Sequence, residues 1–258
     1  MKIRLLVAAA NIGFMFLLVG GIAAKAAEIK VLSYGGIRQV MEDLGPKFER
    51  ATGHNLAITF GSLGAVVKRV QGGETFDVVI IIQPGIDSFL KDGKAVAGNV
   101  TTLARSRIYV AGRKGAPKPD ISSPEALKRA LLAAKSITYA DPAVSTDGGH
   151  FAKVLDRLGI ANEMKSKTVF PNEPRLVGAL VANGEAELGV QQFQNLFSVA
   201  GIDIVGPLPG DLQDTVVFSA AIMGSAKDTA ASKALVDFLR TPEAAAVIKA
   251  KGMEPATP

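Results

Sequence analysis

LAITFGSLGAVVKRVQGGETFDVVIII, residues 56–82, is the stretch that decides the fold class. It opens on LAITF (56–60), a short strand-like run. Gly61 and Ser62 interrupt that run, and Leu63, Val66, Val67 and Val70 then recur at the spacing of one helix face. DVVIII (77–82) is continuously apolar, as expected for a parallel strand covered on both faces. Strand, helix and strand in close succession read as one βαβ unit.

The same rhythm continues in both directions. Toward the N-terminus, EIKVLS (28–33) reads as a strand. Ile37, Val40, Met41, Leu44 and Phe48 mark a helix over 37–50. Toward the C-terminus a helix over 85–92 stops at Gly93. The spacing then predicts strands at 108–111, 136–140, 168–170 and 187–191. Helices are expected over 124–134, 151–158 and 173–183, the first opened by Ser123 as cap with Pro124 behind it. DTVVFSAAIM (214–223) is a long strand-like run, and helices over 228–240 and 242–251 close the chain. Alternation of this kind predicts an α/β protein with mostly parallel sheets flanked by helices. No stretch resembles a flexible linker, so two lobes would be tied by crossing strands, with 103–110 and 214–222 as the candidates. Lobe 1 is then expected over 27–105 plus 217–258 and lobe 2 over 106–216.

Composition narrows the function. With 48% hydrophobic residues the chain has material for a sizeable core, and with 21% charged residues it is not a disordered tail. Cysteine is absent, which excludes disulfides, a thiolate metal site, a Cys nucleophile and a lipid-bearing Cys. Two separated His residues make a zinc site unexpected, and no metal or cofactor is expected at all. Lys2 and Arg4, an apolar run from Leu5 to Ala24 and the small-residue ending Ala24-Lys25-Ala26 read as a leader cut after Ala26, residues 1–26, with export to the periplasm. The alternative for that run is a single membrane anchor. Residues 1–26 hold three of the 29 basic residues and none of the 24 acidic ones, so the remainder carries a net charge of +2. That balance, and the absence of Trp, gives no support to nucleic-acid binding.

In open α/β sheets ligands sit at the C-terminal ends of strands, where helix N-termini point. Four such turns here are rich in small or polar residues. Ser33-Tyr34-Gly35-Gly36 lets the backbone turn tightly and present N–H groups to an anion. In Gly61-Ser62-Leu63-Gly64, Ser62 serves as a helix cap or as a donor to an oxyanion. In DPAVSTDGGH (141–150), Ser145, Thr146 and the Gly pair could cradle an anion, while Asp147 opposes one unless it points away. His150 closes that turn, and a His there is either structural or paired with a carboxylate. After GV (189–190), Gln191 and Gln192 could hydrogen-bond a polar ligand. Each of the four is also readable as a plain turn. His54 is expected to be exposed, and Arg175, in the first turn of its helix, invites an anionic partner. Phosphate-loop, dinucleotide, Gly-x-Ser-x-Gly and His-Glu-x-x-His patterns are absent.

Five stretches together resemble the periplasmic molybdate-binding proteins, a branch of the type 2 periplasmic solute-binding superfamily. They are ITFGSLGAVVKRVQGGETFDVVI (58–80), YADPAVSTDGGHFAKVLDRLGI (139–160), GEAELGV (184–190), GIDIVGPLPGDLQD (201–214) and LRTPEAAAVIKAKGMEP (239–255). The resemblance implies two α/β lobes joined by a hinge, an oxyanion in the cleft and an ABC-type permease as partner; the chain is expected to bind a small anion as a monomer. The chain departs from the family where the oxyanion is held. Gly36 and Leu63 stand at places of Ser, Gln192 stands at a place of Tyr, and the turn at 141–150 is one residue longer. Each hydrogen bond lost from a charged ligand costs about 1.5–3 kcal/mol. An organic carboxylate is therefore an alternative ligand to molybdate. The early Gly-Gly turn and GAPKPDIS (115–122) are similar to a periplasmic aconitate isomerase of the same branch. That similarity implies a second function, isomerisation of an organic acid, with His150 and Tyr34 as the groups that would move an allylic proton. A third function, as sensor subunit for a membrane kinase, is left open by the chain itself.

Overall fold

The computed structural model describes residues 26–173 and 176–256. The expected leader up to residue 25 and Arg175 lie outside them. Among the described residues no helix is long and apolar enough to cross a membrane.

Strand β1 (Glu28–Tyr34) pairs in parallel with both β2 (Asn55–Gly61) and β3 (Val78–Ile82). The crossovers carry α1 (Arg38–Thr52) and α2 (Leu63–Gln71). Every residue of β3 is buried, and the alternation of its side chains shows why. Val78, Ile80 and Ile82 enter one core with Val40, Met41, Leu44 and Phe48 of α1. Val79 and Ile81 enter a second core on the opposite face, with Val66 and Val70 of α2 and Ile86 and Phe89 of α3 (Gln83–Lys91). Full burial of a Val or Ile side chain stabilises by about 1.5–3 kcal/mol, and a strand apolar on both faces is stable only in such a three-layer setting.

Strand β4 (Ala95–Arg113) belongs to two sheets. Its first part pairs antiparallel with β8 (Thr215–Met223), ending at Arg107↔Thr215. Its last part pairs antiparallel with β6 (Leu188–Gln192) and β7 (Ile202–Pro207). β5 (Ile137–Tyr139) lies parallel to β6. Buried clusters divide the same way. The two on the first sheet draw on residues between 29 and 104 and between 216 and 253. The two on the second draw on residues between 108 and 212. Helices α4 (Pro124–Ala133), α5 (Thr146–Arg157), α6 (Ala161–Lys165), α7 (Val177–Asn183) and α8 (Phe193–Leu196) lie between the strands of the second sheet. Helices α9 (Thr229–Phe238) and α10 (Pro242–Ala250) return to the first, and β9 (Glu254–Pro255) pairs with β4.

The elements differ from the sequence expectations in identifiable places. Among the described strands, parallel ladders are formed only by β2-β1-β3 and β5-β6, because the strands that run between the sheets enter antiparallel. β4 begins far ahead of residue 108, and β7 was not expected at all. At 168–170 there is one bridge, Ile137↔Thr168, rather than a strand. α5 starts at Thr146, so the second half of the expected turn at 141–150 is the opening of a helix. His54 is buried: its Nδ1 accepts from the Ala27 N–H at 3.1 Å and its ring stacks on Phe48.

Candidate functional site

Two helix N-termini face one another across a cleft of about 770 Å³. On one wall is the start of α2, with Ser62, Leu63 and Gly64. Ser62 is the N-cap, its Oγ accepting from the Ala65 N–H at 3.3 Å. The N–H groups of Leu63 and Gly64 have no acceptor within the helix and remain available to a ligand. So does the Ser62 hydroxyl proton, because the cap uses only the oxygen.

The opposite wall is the start of α5, with Ser145, Thr146, Gly149 and His150, joined by Pro142, Ala143 and Val144 of the preceding turn. α5 begins directly over the end of β5 because residue 148 has no side chain. A Cβ there would lie 2.0 Å from the Ala140 carbonyl oxygen. Both N-termini carry partial positive charge, so the cleft between them favours an anion. Lys153, one helical turn beyond His150 on the same face, adds a full positive charge. Asp214 is the one carboxylate among the lining residues.

Asp147 does not line this cleft. Its carboxylate accepts from the Ser145 hydroxyl and lies beside the Tyr34 phenol. Tyr34 reaches over from the first sheet, and its phenol lies near the Thr146 and Asp147 side chains at the start of α5. Burial, and then the charge of Asp147, raises the phenol above its ordinary value of 10.0. The Tyr34 ring stacks on Phe218 with centroids 6.1 Å apart and lies across Gly36. A Cβ on residue 36 would come within 2.6 Å of that ring, so the glycine is the counterpart of the tyrosine.

His150 is held at one ring nitrogen and faces a carboxylate with the other. Nε2 lies 2.8 Å from the Leu212 carbonyl oxygen, which can only accept, so Nε2 carries the proton. Nδ1 lies 3.9 Å from Asp214 Oδ2. With the proton on Nε2, the other ring nitrogen turns its lone pair toward the Asp214 carboxylate.

Residues 29–254 match the model of the bacterial extracellular solute-binding protein family. The chain belongs to that family. It is 35% identical over 240 residues to an aconitate isomerase from a Pseudomonas species, covering 90% of each chain. It is 30% identical over 233 residues to the molybdate-binding protein of Azotobacter vinelandii, covering 89% of this chain and 91% of the relative. Its fold is shared with a tungstate-binding protein from Desulfovibrio alaskensis, with a TM-score of 0.69, 15% identity, and coverage of 90% of this chain and 100% of that one. The two-lobed type 2 architecture of these solute-binding proteins is the one described above.

Within that architecture the residues singled out from the sequence separate into three groups. Ser62, Leu63, Ser145, Thr146 and His150 come together on the cleft. Tyr34, Gly35 and Gly36 form the bend beside it, where β1 ends. Ser33, Gln191 and Gln192 are buried away from the lining. The Ser33 hydroxyl donates to the Tyr34 carbonyl oxygen at 3.2 Å, and Gln192 Oε1 accepts from Gln194 Nε2 at 2.6 Å. Sequence reasoning missed Lys153 and Asp214. Lys153 was findable, since it stands three residues after His150 on one helix. Asp214 was not, because its partner lies 64 positions away in the chain.

Proposed function

We propose that the chain is the periplasmic substrate-binding component of an ABC importer and that it captures a small organic carboxylate between the N-termini of α2 and α5. The lobes are taken as 27–105 plus 217–258 and 106–216. The binding residues are taken as Ser62, Leu63, Ser145, Thr146 and His150, with Tyr34, Gly35 and Gly36 at the bend. The observation that carries this reading is the pairing of two helix N-termini and Lys153 with the aliphatic side chains of Leu63, Pro142, Ala143 and Val144 on the same cleft. The donors suit an anion; the aliphatic surface suits a carbon skeleton, which a bare tetrahedral oxyanion lacks. Closing the lobes would bring the walls together over the guest, and the permease would read the closed form.

A thermal-shift panel tests the proposal: molybdate, tungstate, sulfate, phosphate, citrate and both aconitates. A ligand at a hundred times its Kd adds about 2.7 kcal/mol, several degrees in melting temperature for a chain of this size. Stabilisation by the carboxylates is expected. A response to molybdate alone at micromolar concentration would overturn the carboxylate.

The arrangement of His150 favours a second reading, an isomerase acting on an unsaturated organic acid. Nδ1 would take an allylic proton, with Asp214 beside it to hold the resulting imidazolium and the Leu212 carbonyl to fix the ring. His150→Ala separates the readings. Under both, carboxylate binding persists. Under the second, interconversion of cis- and trans-aconitate by the unsubstituted protein is lost in the variant; under the first there is none to lose.

A further inference from the structure

The stretch 208–214 connects β7 to β8 and runs alongside β4 where that strand passes between the two sheets. No ladder pair is formed there by Ile108 with β8, and the Gln213 side chain takes the place of one. Gln213 Oε1 accepts from the Ile108 N–H at 2.8 Å. Its Nε2 donates to the Ile108 carbonyl oxygen at 2.9 Å and to the Leu208 carbonyl oxygen at 3.3 Å. An amide that both accepts and donates at one residue copies a backbone pair. The same stretch is tied to α5 by Arg157, which donates to the Asp211 carbonyl oxygen at 2.9 Å and pairs with its carboxylate.

These ties fix the Leu212 carbonyl oxygen against His150 Nε2 at 2.8 Å. The proton on Nε2 is thereby set, and Nδ1 of the neutral ring is an acceptor. Its neighbour in the cleft, Asp214, is an acceptor as well. At 3.9 Å the two are too far apart for a direct hydrogen bond, yet close enough for one hydroxyl oxygen to sit within reach of both. The cleft is thus divided. Helix N-termini and Lys153 supply donors along its length, and one corner supplies acceptors only.

We infer that the ligand is an anion that also brings a hydrogen-bond donor to the His150–Asp214 corner, that is, a hydroxycarboxylate, with Gln213 as the positioning residue that keeps His150 in its accepting form. The inference rests on the carboxylate reading given above and narrows it. A carboxylate without a hydroxyl leaves two acceptors facing its own negative charge, as does any fully deprotonated oxyanion. A hydroxycarboxylate brings one hydroxyl proton to that corner for His150 Nδ1 or Asp214 to accept.

Matched pairs that differ by one hydroxyl test this by calorimetric titration of the purified protein: citrate against tricarballylate, and L-malate against succinate. The hydroxylated member of the better-binding pair is expected to bind at least tenfold tighter, the scale of one hydrogen bond to a charged group. In Asp214→Asn, whose exposed position tolerates the change, the ratio is expected to fall below threefold whatever the absolute affinities. Nitrogen-15 NMR of the His150 ring in the free protein gives a ligand-independent check. The Nε2–H tautomer is expected, with a mixture of tautomers in Gln213→Ala. Equal binding within the pairs, or an Nδ1–H tautomer in the unsubstituted protein, overturns the inference and leaves the carboxylate reading standing. Binding of molybdate with no carboxylate bound overturns both.

Discussion

The two walls of the cleft are built by the same device and carry different chemistry. Each is a helix N-terminus at the end of a strand. α2 opens on an ordinary serine cap, and Gly64 in its first turn has open space around it. α5 opens with its first turn pressed on the end of β5, and every titratable group that lines the cleft comes from it or from the loop it holds. The first wall supplies neutral donors that any anion would satisfy. The second supplies Lys153, His150 and Asp214, which on the proposed reading discriminate between anions. On that reading, the difference means that general anion donors come from one wall and the discriminating groups from the other, and closure would bring both to bear on a guest.

The glycines give the largest expected contrast. Gly148→Ala places a methyl group against the Ala140 carbonyl oxygen, and α5 must lift from the strand end. A loss of about 3 kcal/mol is expected in urea denaturation. Gly64→Ala meets nothing within 4 Å. It is expected to leave stability unchanged or to raise it by up to about 1 kcal/mol, because alanine is the better helix former. Equal losses at the two positions would break the comparison.

Lys153→Met sharpens it on the binding side. An exposed charge opposite a carboxylate contributes up to about 1 kcal/mol, so citrate affinity is expected to fall roughly fivefold, with a weaker dependence on salt. Calorimetry at two ionic strengths reads both effects.

The smallest expected effect concerns the contact between the walls. Tyr34→Phe removes the hydroxyl that lies near the Thr146 and Asp147 side chains, and a loss of at most about 0.5–1.5 kcal/mol is expected. The variant also changes the alkaline limb. Because the folded phenol is raised, the unfolded chain releases that proton first as pH climbs through 10.0. Tyr34 therefore contributes stability that is complete below that value and declines toward the folded value, at no more than about 1.4 kcal/mol per pH unit. The phenylalanine variant is expected to lose stability less steeply above pH 10.0 than the unsubstituted protein.

Much of this fold was legible because its signals are local. DVVIII (77–82) could hardly be anything but a strand between two helix layers, and its two-sided burial follows from that. Ser123-Pro124 and Thr241-Pro242 marked helix starts that the structure keeps. β7, IDIVGP (202–207), escaped notice because it is half-buried and Gly- and Pro-bearing at its end, so neither a continuous apolar run nor a clean alternation announces it. The opening of β4, AVAGNVTT (95–102), reads as loop and is made strand by pairing with β8. Thr168 was overread, since a few β-branched and aromatic residues form a strand only where a partner has room for more than one bridge.

The site was legible to the extent that it is made of turns. Ser62 and the 145–150 stretch stood out by composition. The His150 environment did not, because it depends on Leu212, Gln213 and Asp214, whose roles come from where the hinge strands cross. Gln191 and Gln192 drew attention as adjacent amides after a strand, yet a β6 buried along its length places both inside.

Amide NMR during a citrate titration tests the central claim most directly. If one anion is held between the two helix N-termini, the N–H signals of Leu63 and Gly64 and those of Thr146 and Gly149 will shift together, with a single midpoint. Shifts confined to one of these walls, or found on neither, would contradict the account.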